Sequence, residues 1–139
     1  MPPLSWLPLN LTIAGVILLG LGILHVALPA VLRWREEFAA VSVLNREVSY
    51  VHCFFIGLAC LLWGLLPLIA GKSLLAPGPV TRLVLAGAVI FWGSRLIIQL
   101  AVFNRHAARS AGWRMLSLSG TGMWLYLTAV WTLALVAQR

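Results

Sequence analysis

The sequence predicts an all-α, polytopic membrane protein of four transmembrane helices in an antiparallel bundle, with both termini outside. Three observations carry this expectation. Of 139 residues, 62% are hydrophobic and 9% charged, against about 45–50% and about 25% in soluble domains. The mean hydropathy is +1.00, and a soluble fold this short has too much surface for its volume to hide that apolar content. Four segments reach the roughly 20 apolar residues needed to cross a hydrocarbon core about 30 Å thick. Disorder is excluded by the abundance of apolar residues. A β-barrel is excluded because no strand-period alternation is present.

The first span runs from Leu9 to Leu32 without Lys, Arg, Asp or Glu. Its start, Met1 to Trp6, lacks a basic segment, and the apolar run exceeds the usual 7–15 residues of a signal peptide. Val26 to Ala30 faintly resembles a cleavage site, but Arg33 and Arg35 follow as at a stop-transfer boundary. A retained helix is therefore expected. Pro29 removes the amide that would bond the His25 carbonyl, and Pro67 does the same to Trp63. In the loop 33–47, Trp34, Phe38, Val41 and Leu44 recur at helical spacing among charges. That pattern suits an extension of the first helix or a short interfacial helix.

The second span, Val48 to Gly71, is also free of charge and carries Cys53, Gly57, Cys60 and Gly64 on one face. Gly15 and Gly22 of the first span, with Gly20 beside them, offer a matching small-residue face. Close approach through small residues drives helix association in lipid, so both faces are expected inside the bundle. Cys53 and Cys60 are separated by about 10.5 Å of helix rise, too far for a disulfide, and act as small packing residues. The segment 72–81 contains Pro77-Gly78-Pro79 and reads as a turn. The third span, Leu83 to Phe103, is interrupted by Arg95, and the fourth, Met115 to Ala137, has no formal charge. The whole chain reads as one transmembrane domain.

Loop charge gives the orientation. Arg33, Arg35, Arg46, Arg105, Arg109 and Arg114 fall in loops 33–47 and 104–114, against Lys72, Arg82 and Arg139 on the other side. This excess places the two Arg-rich loops in the cytoplasm. The net charge of +7 is scattered between apolar blocks, without the contiguous basic stripe of a nucleic-acid footprint. Trp6, Trp34, Trp113 and Trp131 fall near span ends, where aromatic belts lie; Trp63, Trp92 and Trp124 sit deeper and read as packing residues.

Ionisable groups within a membrane are costly and mark functional sites. With this orientation His25, His52 and Arg95 all occupy the cytoplasmic half, about 10, 6 and 12 Å inside the boundary. Arg95, Gln99, Val102 and His106 form one helical stripe, and Ser117, Ser119, Thr121 and Tyr126 add polar groups on the fourth span. The outer halves read as nearly featureless apart from Thr132. Side chains on a helix lean toward its N-terminus, which for Arg95 points away from the nearer boundary, makes snorkelling there awkward and favours an inward side chain. Its expected partner is Glu36, Glu37, Glu47 or an acidic group of a ligand. The candidate cofactor-binding set is His25, His52, Arg95, Gln99 and Tyr126. It suits a quinone or lipid head group, or a b-type haem with His25 and His52 as axial ligands and Arg95 on a propionate. The alternative for each histidine is a neutral ring bonded to a backbone carbonyl or to a Ser or Thr.

Other chemistry lacks its residues. The chain contains no Asp, its acids are Glu36, Glu37 and Glu47, and it has neither a GxGxxG nor a P-loop sequence. A di-metal carboxylate site would need several Glu and a Glu-x-x-His motif.

The segment Phe91-Trp92-Gly93-Ser94-Arg95-Leu96-Ile97-Ile98-Gln99, followed by Val102-Phe103-Asn104-Arg105, carries a resemblance. So do Arg33-Trp34-Arg35-Glu36-Glu37, Leu44-Asn45-Arg46 and Val51-His52. Together they resemble uncharacterised small bacterial four-helix integral membrane proteins. The resemblance implies a bacterial inner membrane and brings no catalytic residue with it. The expected function is that of a non-catalytic accessory subunit or homo-oligomer, partnered by lipid and other membrane subunits. The polar cluster would hold a lipid, quinone or haem. The alternative is a redox enzyme, using haem or quinone, or a lipid-modifying enzyme in the membrane.

Overall fold

The chain forms α1 (Leu7–Val31), a one-turn α2 (Trp34–Glu37), α3 (Val43–Leu75), α4 (Pro79–Ala101), a 3-10 turn (Phe103–His106) and α5 (Ala111–Val136). This computed structural model describes residues 5–106 and 110–138. Arg109 and Arg139, used above for orientation, lie outside the described residues, as do Met1 to Leu4 and the His106 side chain. No strand occurs among the described residues. Four helices are long and apolar enough to cross a membrane, and their flanks expose residues such as Val26, Ile69 and Leu83. Water would not tolerate so continuous an apolar surface, whereas lipid matches it. This is a multi-pass membrane protein by the composition and length of its helices.

Helix ends differ from the hydropathy limits because local backbone chemistry sets them. Arg33 adopts the left-handed conformation (φ 52°, ψ 39°) and its amide bonds Ala30 O at 3.1 Å, closing α1. Helix α2 realises the short helix expected in the first loop: Trp34 packs on Phe38 and edge-on against Tyr50, with ring centroids 5.0 and 5.4 Å apart. Val41 and Leu44 of the same spacing are exposed. Helix α3 then begins at Val43 rather than Val48, with Ser42 Oγ accepting from the Asn45 amide at 3.4 Å. The expected 72–81 turn shrinks to the residues between Leu75 and Pro79. Gly78 caps α4, and Pro79 follows at its first turn, where its missing amide costs nothing. At α5, Ser110 Oγ accepts from the Trp113 amide at 3.2 Å.

Two compact units make up the chain: Thr12–Ala70, and the remainder on either side of it. The boundary within α3 coincides with Ala70, whose φ of −116° and ψ of 21° interrupt the helix three residues after Pro67.

In the Thr12–Ala70 unit, α1 and α3 meet through their glycines. A Cβ on Gly15 would stand 2.7 Å from Gly64 O, and one on Gly22 would stand 3.0 Å from Gly57 O. Both pairs fit one antiparallel register. Cys53 and Cys60 are buried on the same α3 face. Gly20 has nothing within 4 Å of its Cβ position, so it lies off the contact that Gly15 and Gly22 make. The His25 carbonyl freed by Pro29 accepts from Cys53 Sγ at 3.5 Å. Cys53 is therefore a donor as well as a small residue. We expect Cys53→Ser to stay close to wild-type stability, whereas Cys53→Ala, which leaves the carbonyl unmet, costs about 1–2 kcal/mol. Thermal unfolding in mild detergent checks the pair; equal loss in both variants would show that packing alone matters.

In the other unit, α4 and α5 share a heptad-like seam. Leu85, Ala88, Trp92 and Gln99 are buried on α4, against Ser117, Trp124, Leu127, Trp131 and Ala134 on α5. The Trp92 and Trp124 rings stack with centroids 5.7 Å apart and planes 13° apart, which fits the packing role expected of them. Trp131 is fully buried, so it is a seam residue and not an interfacial one. The seam is apolar toward Leu85 and Ala134 and becomes polar at Arg95, Gln99 and Ser117.

Candidate functional site

The polar end of that seam forms a cleft of about 230 Å³ lined by Arg95, Gln99, Phe103, Trp113, Leu116, Ser117, Gly120, Met123 and Trp124. Arg95 sits one turn after Trp92 on the stripe that faces α5, so helical spacing alone directs it into the seam. Its guanidinium carbon lies 4.5 Å from the Trp124 ring centroid and 4.9 Å from that of Phe103. Its Nη1 donates to Gln99 Oε1 at 3.4 Å. Cation–π contact of this kind offsets part of the desolvation of a cation while leaving it charged.

The guanidinium reaches toward the C-terminal end of α4, since Gln99 and Phe103 are four and eight residues ahead. This corrects the expected lean toward the N-terminus, because a side chain this long carries its head to the nearest ring faces and acceptor. Glu36, one of the acidic partners expected from sequence, pairs with Arg33 in an exposed i,i+3 contact.

Gln99 is held in turn. Its Nε2 donates to Asn104 Oδ1 at 3.1 Å, and Ser117 Oγ donates to the same oxygen. Asn104 Nδ2 donates to Thr121 Oγ1 at 3.2 Å, and the Thr121 hydroxyl donates to Ser117 O at 2.8 Å. Every step has a donor matched to an acceptor, as a buried polar network requires. Gly120 makes room for it, since a Cβ there would stand 3.2 Å from Gln99 Nε2.

Asn104 is the residue sequence reasoning missed. The Arg95–Gln99–Val102–His106 stripe presumes a helix that continues, but α4 ends at Ala101. Val102 is exposed, and the 3-10 turn brings Asn104 to Gln99 in its place. An Asn just past an apolar run was the available signal, and it was assigned to the loop.

The other candidates lie elsewhere. Tyr126 Oη donates to Asn10 Oδ1 at 2.9 Å, tying α5 to the start of α1, and does not line the Arg95 cleft. Asn10, also overlooked, bonds Trp6 O at 2.8 Å through Nδ2. A second tie joins Arg82 to Gln138 O at 2.8 Å and Gln138 Nε2 to Leu74 O at 2.9 Å. That end of the unit is thus less featureless than its apolar composition suggests.

His25 and His52 belong to the Thr12–Ala70 unit. Each brings Nδ1 to the carbonyl four residues earlier, Leu21 O at 2.7 Å and Val48 O at 2.8 Å. His25 lines a cleft between α1 and α3, whereas His52 is exposed and does not line it. The two rings are therefore not presented to one another across that cleft. Among the described residues no group of three or more His, Cys, Asp or Glu gathers as a metal site. Of the predicted set, the structure brings together Arg95 and Gln99. No protein-family model, curated protein or solved structure matches the chain, so its chemistry is read from this geometry.

Proposed function

We propose that this chain is a non-catalytic accessory subunit or homo-oligomer of the bacterial inner membrane that holds an anionic amphiphile, a lipid foremost, at Arg95. The observation that carries the reading is the Arg95 guanidinium seated over Trp124 and Phe103 in a cleft otherwise walled mainly by apolar side chains. A cation in such walls selects a ligand with an acidic head and an apolar body. Arginine suits phosphate or carboxylate because its planar fork can make two charge-assisted bonds. Gln99, fixed by Asn104, holds that fork in place. The Arg-rich loops support an orientation with this end of the α4–α5 seam on the cytoplasmic side, where anionic lipids supply the head group.

Among the described residues the cleft is lined by the Arg95 cation, the Gln99 amide, the Ser117 hydroxyl and apolar groups, a set that suits holding a head group. The test is native mass spectrometry of the full chain released from bilayers containing phosphatidylglycerol and phosphatidylcholine. Wild type is expected to retain phosphatidylglycerol selectively, Arg95→Lys to retain it more weakly, and Arg95→Gln to lose about tenfold or more in retention, the cost of one charge-assisted contact. Equal retention of both lipids by wild type and Arg95→Gln would refute the proposal.

A further inference from the structure

The cleft between α1 and α3 has a chemistry of its own, independent of Arg95. Its volume is about 370 Å³, and Gly22, His25, Tyr50, Cys53, Phe54 and Gly57 are among its walls. That is the size of a small-molecule site, and such sites pair apolar walls with a few placed polar groups. Here the placed group is His25. Its Nδ1 lies 2.7 Å from Leu21 O, and a carbonyl oxygen only accepts, so Nδ1 carries the proton. In the neutral tautomer that this bond selects, Nε2 is a lone pair, and it makes no hydrogen bond to any described residue. Of the other polar groups nearby, the His25 carbonyl is already occupied by Cys53 Sγ, and the Tyr50 hydroxyl of the lining can meet the oxygen of a ligand that donates to Nε2.

A lone pair in an apolar cleft selects a donor. Nε2 makes no bond to a quinone carbonyl or an ether, which only accept, and accepts from a hydroxyl. We infer that this cleft binds a membrane-soluble phenol, its O–H donating to His25 Nε2 and its ring lying among Tyr50 and Phe54. A phenol is favoured over an aliphatic alcohol because it is the stronger donor and its face and edge complement those two rings.

The probes are β-naphthol, its methyl ether, which keeps the shape without the donor, and its fully saturated alcohol. Binding is measured by titration of the full chain in nanodiscs, with ¹⁵N spectra of the histidine rings. Saturable binding of β-naphthol, about tenfold tighter than either analogue, is expected, with a shift of the His25 Nε2 resonance. His25→Leu should abolish the preference for naphthol over the ether, His25→Gln should keep part of it through its side-chain carbonyl, and His52→Leu should leave it intact. Equal affinity for the ether or the saturated alcohol overturns the inference. So does an unshifted His25 resonance in the wild-type chain, a readout that stands even where His25→Leu does not fold.

Discussion

Gly64→Ala is expected to destabilise the α1–α3 pair by about 2 kcal/mol, while Gly20→Ala raises stability by up to about 1 kcal/mol. The two changes add the same methyl group to helix interiors in the membrane. Alanine is the better helix former by roughly 1 kcal/mol, so a glycine with open space around it gains from the exchange. Gly20 is such a residue, with nothing within 4 Å of the added atom. At Gly64 the added Cβ would stand 2.8 Å from Gly15 O and 2.9 Å from Leu19 N. Both are backbone atoms of α1 and neither can rotate away. The helices must part, and overpacking of this kind costs about 1–3 kcal/mol. Unfolding in graded denaturing detergent, followed by helix signal, separates the two variants. A loss at Gly20 equal to that at Gly64 would mean the glycines serve conformation and not contact.

The second large effect concerns Asn104→Leu. Leucine keeps the branched outline and heavy-atom count of asparagine but takes away the acceptor shared by Gln99 Nε2 and Ser117 Oγ and the donor to Thr121 Oγ1. Side-chain bonds between membrane helices measure about 0.6 kcal/mol on average and up to about 1.7, so loss of the three costs about 2 kcal/mol and at most about 5. The stronger expectation is non-additivity. Gln99→Leu alone removes the amide that Asn104 accepts from, and the double variant should cost less than the sum of the singles by about 1 kcal/mol or more. A strictly additive cycle would show that Gln99 and Asn104 do not act as one unit. Asn104→Leu should also weaken retention of phosphatidylglycerol, because Gln99 is then free to turn away from Arg95.

Four apolar helices were legible because the membrane imposes a length and a composition that few other structures share. Their faces were legible where small residues recur at helical spacing, as at Gly15, Gly22, Gly57 and Gly64. Helix ends were not, because hydropathy stops at the first charge while α3 runs from Val43 through Glu47 and on past Lys72. A charged residue at a span end lies beyond the hydrocarbon and leaves the helix intact.

Within the site, Arg95 and Gln99 were visible as a stripe, but extending that stripe to Val102 and His106 assumed an unbroken helix. The break at Ala101 depends on a backbone turn that no side-chain period encodes. Tyr126 was grouped by polarity with a cluster it does not line, because pairing with Asn10 spans most of the chain length. His25 and His52 lie within about one helix turn in expected depth, yet one residue of register on α3 puts Cys53 in the interface and leaves His52 exposed.

The claim that Arg95 holds an acidic head group is tested most directly by magnetic dipolar recoupling between guanidinium ¹⁵N and lipid ³¹P. The full chain would be reconstituted in phosphatidylglycerol bilayers with ¹⁵N-arginine, and wild type compared with Arg95→Gln. A guanidinium signal strongly dephased by phosphorus, absent from Arg95→Gln and lost when phosphatidylcholine replaces phosphatidylglycerol, is the expected result. An Arg95 signal that phosphorus does not dephase in the anionic bilayer would contradict it.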